Sequence, residues 1–406
     1  MQGGELTEVS VLPATRVHQR VAWLCGGVVF LDAYNIASAG NAVPSLVDAW
    51  KLQPATFTQA LTAGNVGLLL GLLGAGLLGN RLPRRPLIIC CVLEFGVFSL
   101  LSALVHSPPQ LVILRLLTGL GLGSAVALAM VIAADFAPRH SQGRFMILIQ
   151  ACGSMGTVFG GLLASQLVRA FGWPAIFVVG GVLPIALAPL LVLLPNLAPE
   201  RSNESQQNPV AALFQDGHAL TTLLLWSMSL MDVLVLYFIK AWLPAILHST
   251  GVSPARSILA ASMFSLGALA GLIITASFAD KVGIERVLTC ALALGAFCVF
   301  AIGAFHLPHW LLFAVLFGAG IGGSCEGGIV ALSCLAYPTG IRSTGASWAM
   351  GAGSIGSIAG PLLGGLLLSV NLQPRSIFVA ASIPALCVAL LMVILELLRH
   401  RQGRIV

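Results

Sequence analysis

Charge is what this sequence has least of. Only 8% of its 406 residues are Asp, Glu, Lys or Arg, against about 25% in an ordinary soluble domain. A surface that faces water cannot be built from so little charge, so a soluble globule is excluded. Long polar stretches are scarce as well. After the polar N-terminus MQGGELTEVSVLPATRVHQR, the longest is NLAPERSNESQQNPVAALFQDG, at 196–217. This leaves no extramembrane domain large enough to read a ligand, dock a partner or bind ATP, and no Walker sequence is present. A receptor or scaffold is therefore disfavoured. No serine–histidine or metal-ligand constellation converges within the apolar segments, so no enzyme, cofactor or metal is expected. The nine cysteines are odd in number and show neither CxxC nor zinc-type spacing. They read as buried structural thiols with no disulfide framework.

What the chain does have is apolar residues, 58% of the total, with a mean hydropathy of +0.97. They gather into runs at about 21–47, 56–79, 86–106, 110–136, 145–169 and 173–195, and again at 218–247, 256–279, 285–305, 309–336, 343–370 and 373–398. Each is long enough to cross a bilayer as a helix, which takes about 20 residues. Lipid leaves backbone groups no partner but each other, and runs of this length exclude the strands of a barrel. The expectation is an all-α integral membrane protein of twelve transmembrane helices. The N-terminus has no signal-peptide core, so the first run stays as a span.

The few cations set the orientation. With the N-terminus inside, the inner side receives 14 Lys and Arg and the outer side 4, with Arg115 and Lys240 left within spans. The positive-inside rule then puts both termini in the cytoplasm. The net charge of +6 is topogenic, and a nucleic-acid partner is not needed to explain it.

A shift of 200 residues reveals a repeat. Asp32 falls on Asp232, Pro44 on Pro244, Gly67 on Gly267, Gly71 on Gly271, and Gly153, Gly156 and Gly160 on Gly353, Gly356 and Gly360. Two six-helix bundles, 21–195 and 218–398, follow from this, joined by a cytoplasmic linker at 196–217 and flanked by cytoplasmic tails at 1–20 and 399–406. Parallel repeats around a midplane site are a transporter architecture.

Between the second and third runs stands GLLGNRLPRR, at 76–85, and the second half carries a degenerate copy, ASFADKVGIERV. The fourth run opens RLLTGLGLGSA, at 115–125. These resemble the signature loop and the Arg-then-glycine motif of the major facilitator superfamily. Within it, LDAYN at 31–35, YFIKAWLP at 237–244, YPTGIRSTG at 337–345 and GSIGSIAGP at 353–361 resemble the aromatic acid:proton symporters. The chain departs from the family at Asn80 and Pro83, where Asp and Gly are usual, at Ala33 and Asn35, and at Ser354, where an Arg is common. The resemblance implies a major facilitator fold in a plasma membrane, the inner membrane of a bacterium, with a small organic anion and protons as partners besides the lipid. A monomer is expected.

Buried ionisable groups cost several kcal/mol in a bilayer, so each needs a cavity, a partner or a proton. Asp32, near the middle of the first run, reads as a proton-binding carboxylate, or as one neutralised by a structural partner. Asp232 and Glu326 are the other proton-coupling candidates. Arg115 could bind a substrate carboxylate or act on Asp32, or form a permanent ion pair within the first half. Lys240 could meet the same anion, or snorkel to the outer face. Asn35, three residues beyond Asp32, is expected on its face, and Tyr34 and Tyr237 could stack on an aromatic ring. Glu94 is expected to pack away from the cavity. A conformational latch is expected among Asn80, Arg81, Arg84, Arg85 and Asp135, with Arg81 pairing to Asp135, and in the second half at Asp280 and Lys281. The favoured function is uptake of an aromatic carboxylate with protons. A proton-coupled exporter of drugs or metabolites is the alternative, drawn from the glycine–proline pattern of GSIGSIAGPLLGG.

Overall fold

The computed structural model describes residues 14–79, 82–137, 142–195, 213–215, 218–305, 307–337, 342–370 and 372–401. These are almost wholly helical, with no strand among them. In the first half α1 is Ala14–Trp50, α2 Thr58–Gly79, α3 Arg84–Ser102, α4 Pro108–Asp135, α5 Gln142–Phe171 and α6 Pro174–Leu187. In the second, α7 is Ala219–Ser249, α8 Pro254–Val282, α9 Ile284–Ala304, α10 His309–Gly322, α11 Cys325–Ala336, α12 Arg342–Ser369 and α13 Pro374–Arg401. Together they supply twelve candidate spans.

Two spans differ from single uniform helices. The sixth tightens into a 3₁₀ turn at Ala188–Leu193, where Pro189 removes an N–H that the α-ladder needs. The tenth breaks between α10 and α11 instead of running straight from 309 to 336. Its glycines weaken the helix, and the Ser324 hydroxyl donates to the Ile321 carbonyl at 2.7 Å, competing with the ladder.

The 200-residue repeat holds at the level of atoms. A Cβ on Gly156 would lie 2.1 Å from the Phe30 carbonyl oxygen, and one on Gly356 would lie 2.2 Å from that of Leu230. Only a residue without a side chain lets α5 lie so close to α1, and α12 so close to α7.

The start of α1, the end of α2, the start of α3 and the end of α13 share one end of the bundle, here the termini end; the opposite end is the far end. One apolar core spans both halves toward the far end, where Val43, Leu46 and Phe57 join Trp242, Leu243 and Ile258. Toward the termini end the cores separate. Val28, Phe95 and Ile132 belong to a cluster of the first half alone, and Leu225, Leu292 and Leu332 to one of the second. The outer faces are apolar, with side chains such as Leu73, Leu104, Phe297 and Ile383 exposed. Such surface is stable only against lipid.

Candidate functional site

Prolines prepare the place where the halves meet. Pro244 in α7 has no N–H, so the carbonyl of Lys240, four residues earlier, has no helical partner. Gly40 of α1 presses against that oxygen; a Cβ there would lie 2.4 Å away. In α12, Pro361 likewise leaves the Ser357 carbonyl free. Asn65 of α2 answers it across the two halves, its Nδ2 donating at 2.6 Å.

Beside these contacts lies a cavity of about 40 Å³ bordered by residues that include Asn35, Asn65, Arg115, Thr118, Tyr237 and Lys240. It has room for a few waters. Arg115 is 3% exposed. Its Nη2 donates to the hydroxyls of Ser102 and Thr118 at 3.2 and 3.3 Å, and its guanidinium lies 4.9 Å from the centre of the Phe177 ring. Its Nε has no partner. No acid among the described residues forms an ion pair with it, so the permanent pair considered from sequence is absent. An unpaired guanidinium on a cavity is suited to a bidentate anion.

Lys240 does not snorkel. Its Nζ lies 5.2 Å from the centre of the Tyr237 ring, within the protein. It interacts electrostatically with Glu326 of α11 and with Asp32 of α1. The cation that acts on Asp32 is therefore Lys240 and not Arg115, because the α1–α7 crossing brings those two together. Asp32 is 9% exposed and its Oδ1 has no hydrogen-bond partner. Glu326 is exposed, although it acts on Lys240, Tyr237 and Asp232.

Asp232 stands apart. It is 6% exposed, its Oδ2 is unpartnered, and it borders a second cavity of about 30 Å³ beside Gly322 and Gly323 at the break of span ten. Among the described residues no cation pairs with it.

Two expected substrate contacts turn elsewhere. Asn35 borders the cavity, but its Nδ2 donates to the carbonyls of Leu31 and Gly180, and its Oδ1 accepts from Ser99 at 2.8 Å. Tyr34 donates its hydroxyl to the Ile176 carbonyl at 2.8 Å and lies against α5 and α6. Two and three residues past Asp32 rotate these side chains by about 200° and 300° around the helix, toward α3, α5 and α6. Glu94 is half-buried in α3 and borders neither cavity.

Asn80 and Arg81 lie outside the described residues, as does the Asp280 side chain. Asp135 is paired to Arg84, joining α4 to α3; Arg85 is half-buried. In the second half Arg286 meets Glu396 at 3.5 Å, and Lys281 lies 5.9 Å from the ring centre of Phe278. Each of these contacts stays within its own half.

Sequence reasoning missed the bridge at the far end. His248 of α7 meets Asp48 of α1 through Nε2 at 2.9 Å, while its Nδ1 faces the Val252 carbonyl at 2.8 Å. Both partners only accept, so the doubly protonated ring is the form that makes both bonds. The shift of 200 residues pairs these two positions, but comparing only like residues passes over Asp against His. Asn65 was also missed, though an amide in TAGNVGLLL is as conspicuous as the charges that were noted.

The model of the Major Facilitator Superfamily matches twice, at 23–245 and 225–404. The chain belongs to this superfamily. It is a multi-pass membrane transporter, and its relatives are transporters rather than enzymes. A gallate transporter of Pseudomonas putida is 33% identical over 403 residues, covering 90% of this chain and 89% of its own. The 3-(3-hydroxy-phenyl)propionate transporter of Escherichia coli is 32% identical, covering 94% of each. A 4-hydroxybenzoate transporter of Pseudomonas putida is 28% identical over 96% of this chain and 95% of its own. Among solved structures, a D-xylose-proton symporter superposes with a TM-score of 0.73 at 17% identity, over 92% of this chain and 97% of its own. A nucleoside transporter gives 0.75 at 14% identity, over 92% and 99%. These two share the fold.

Proposed function

We propose that this facilitator takes up an aromatic carboxylate together with a proton by alternating access. The observation that carries the reading is an arginine with no acidic partner among the described residues and a lysine bordering one cavity, with a buried carboxylate acting on the lysine. The transported compounds in the relatives' names, gallate, 4-hydroxybenzoate and 3-(3-hydroxy-phenyl)propionate, point the same way.

In the empty carrier Asp32 and Glu326 balance Lys240. A proton on Asp32 releases Lys240 toward the substrate carboxylate, which Arg115 also receives, and Tyr237 offers its ring to the aromatic body. Asp232 and Glu326 form a second acidic pair for a proton in transit. The halves 21–195 and 218–398 rock about the α1–α7 crossing, with 196–217 as their tether. With the termini in the cytoplasm of a bacterial inner membrane, the far end is outer and the structure is closed to the outside. The chain works as a monomer. Two cations on the cavity fit an anionic cargo and disfavour the rival, export of a cationic drug.

The test is uptake of labelled benzoates, hydroxybenzoates and small aliphatic carboxylates into proteoliposomes, with and without an inward proton gradient, for wild type and Asp32→Asn. Gradient-driven accumulation of an aromatic acid by wild type is expected. In the variant accumulation is lost and exchange survives. Proton-linked movement of lipophilic cations with no carboxylate uptake would replace this reading with the exporter.

A further inference from the structure

Asn65 has two jobs available to one amide. Its Nδ2 is fixed by chemistry: the Ser357 carbonyl that Pro361 leaves free can only accept, so the amino group must face it, at 2.6 Å. The amide oxygen is thereby turned away from α12. It has no hydrogen-bond partner among the described residues, and Asn65 is 7% exposed on the border of the cavity shared with Arg115 and Lys240. Two other neutral polar groups there are engaged. The Thr118 hydroxyl donates to the Leu114 carbonyl and accepts from Arg115, and the Asn35 amide is held by Leu31, Gly180 and Ser99.

We infer that Asn65 is a specificity-determining residue that accepts a hydrogen bond from a hydroxyl on the substrate ring, so that hydroxylated aromatic acids are preferred over unsubstituted ones. The inference rests on the aromatic-carboxylate reading above. Its logic is chemical division of labour. The two cations serve the carboxylate, and an amide oxygen, which cannot donate, is matched only by a donor such as a phenolic hydroxyl. A ring without that hydroxyl leaves the oxygen desolvated and unpaired when the site closes. The same amide clasps α12, so the hydroxyl is read at the seam between the halves.

The experiment is competition by 4-hydroxybenzoate and by benzoate against a labelled aromatic acid, using wild type, Asn65→Ala and Pro361→Ala in proteoliposomes. Pro361→Ala returns a backbone N–H to the Ser357 carbonyl and so loosens the clasp without touching the amide oxygen of Asn65. Weakening the clasp alters the balance of conformations and moves both acids together. Losing the acceptor changes their ratio. Wild type is expected to prefer the hydroxylated acid; Asn65→Ala is expected to lower that preference about tenfold, and Pro361→Ala to keep it. An unchanged ratio in Asn65→Ala, or an equal change in Pro361→Ala, overturns the assignment. Wild type that binds neither acid overturns the substrate reading and this inference with it. Wild type that binds both equally overturns this inference alone.

Discussion

The two ends of the bundle are held in different ways. At the far end the halves share one apolar core and add polar contacts across the seam: Asp48 with His248, Asn65 with the Ser357 carbonyl, Gly40 against the Lys240 carbonyl. At the termini end each half keeps its own core, and the ion pairs Arg84–Asp135 and Arg286–Glu396 stay within a half. The difference teaches where the reversible contacts must lie. Cohesion within a half is built from helices packed at glycine distance and has no reason to break. Cohesion between halves depends on the shared far-end core and a few polar bonds beside it.

The largest expected effect comes from forcing the far end apart. Gly40→Leu puts a side chain where even a Cβ meets the Lys240 oxygen at 2.4 Å. Overpacking of this kind costs about 1–3 kcal/mol, here paid by the closed far end. Transport is expected to fall to background, with a cysteine placed at the far-end seam becoming reactive to a water-soluble maleimide. Unchanged uptake would show that the crossing yields without loss.

Next comes the charge set on the middle cavity. Lys240→Met leaves Asp32 without its cation, and net uptake is expected to fall about a hundredfold, a loss equivalent to about 2.7 kcal/mol. If Arg115→Met alone has that effect and Lys240→Met has none, the pairing of Lys240 with Asp32 does not govern transport.

The far-end bridge is worth less, because Asp48 is half exposed, at 54%. His248→Gln removes one charged contact of about 0.2–1 kcal/mol. Seam reactivity should rise by about two- to fivefold, measured with the same maleimide. No change in reactivity would assign the closure to the apolar core alone.

The smallest effect is expected at the termini end. Asn80→Asp introduces a charge four residues before Arg84 in sequence, where the family usually has Asp. A stronger latch there should shift the resting balance toward the far-open state by about twofold. Equal seam reactivity in the two proteins would refute a latch weakened by Asn80.

Much of the fold was legible because a bilayer enforces it. Twelve apolar runs, the scarcity of charge and the repeat of Asp32, Gly67 and Gly156 at 200 residues left few architectures available. Asp32, Arg115 and Lys240 were equally plain, since a charge in an apolar run has to be accounted for. What could not be read was which charge faces which. A helix turns about 100° per residue, so a small error in rotation sends Asn35 and Tyr34 to α3 and α6 instead of the cleft. The partner of Asp32 depends on how two helices distant in sequence cross. The break in span ten was written in IGGSCEGG, but glycine also serves close packing, and the run was read as continuous.

Positions 40 and 240, and again 48 and 248, are repeat-mates that touch each other. Residues that meet their own counterpart lie on the pseudo-twofold axis between the halves. In a dimer of two identical six-helix chains, each such place would set a residue against its own copy: glycine on glycine, acid on acid. A single chain carrying both halves escapes that rule, and at these places it has glycine against lysine backbone and aspartate against histidine. Joining the halves is thus what allows an aspartate to meet an imidazole on the axis, where symmetry would otherwise set each side chain against its own kind.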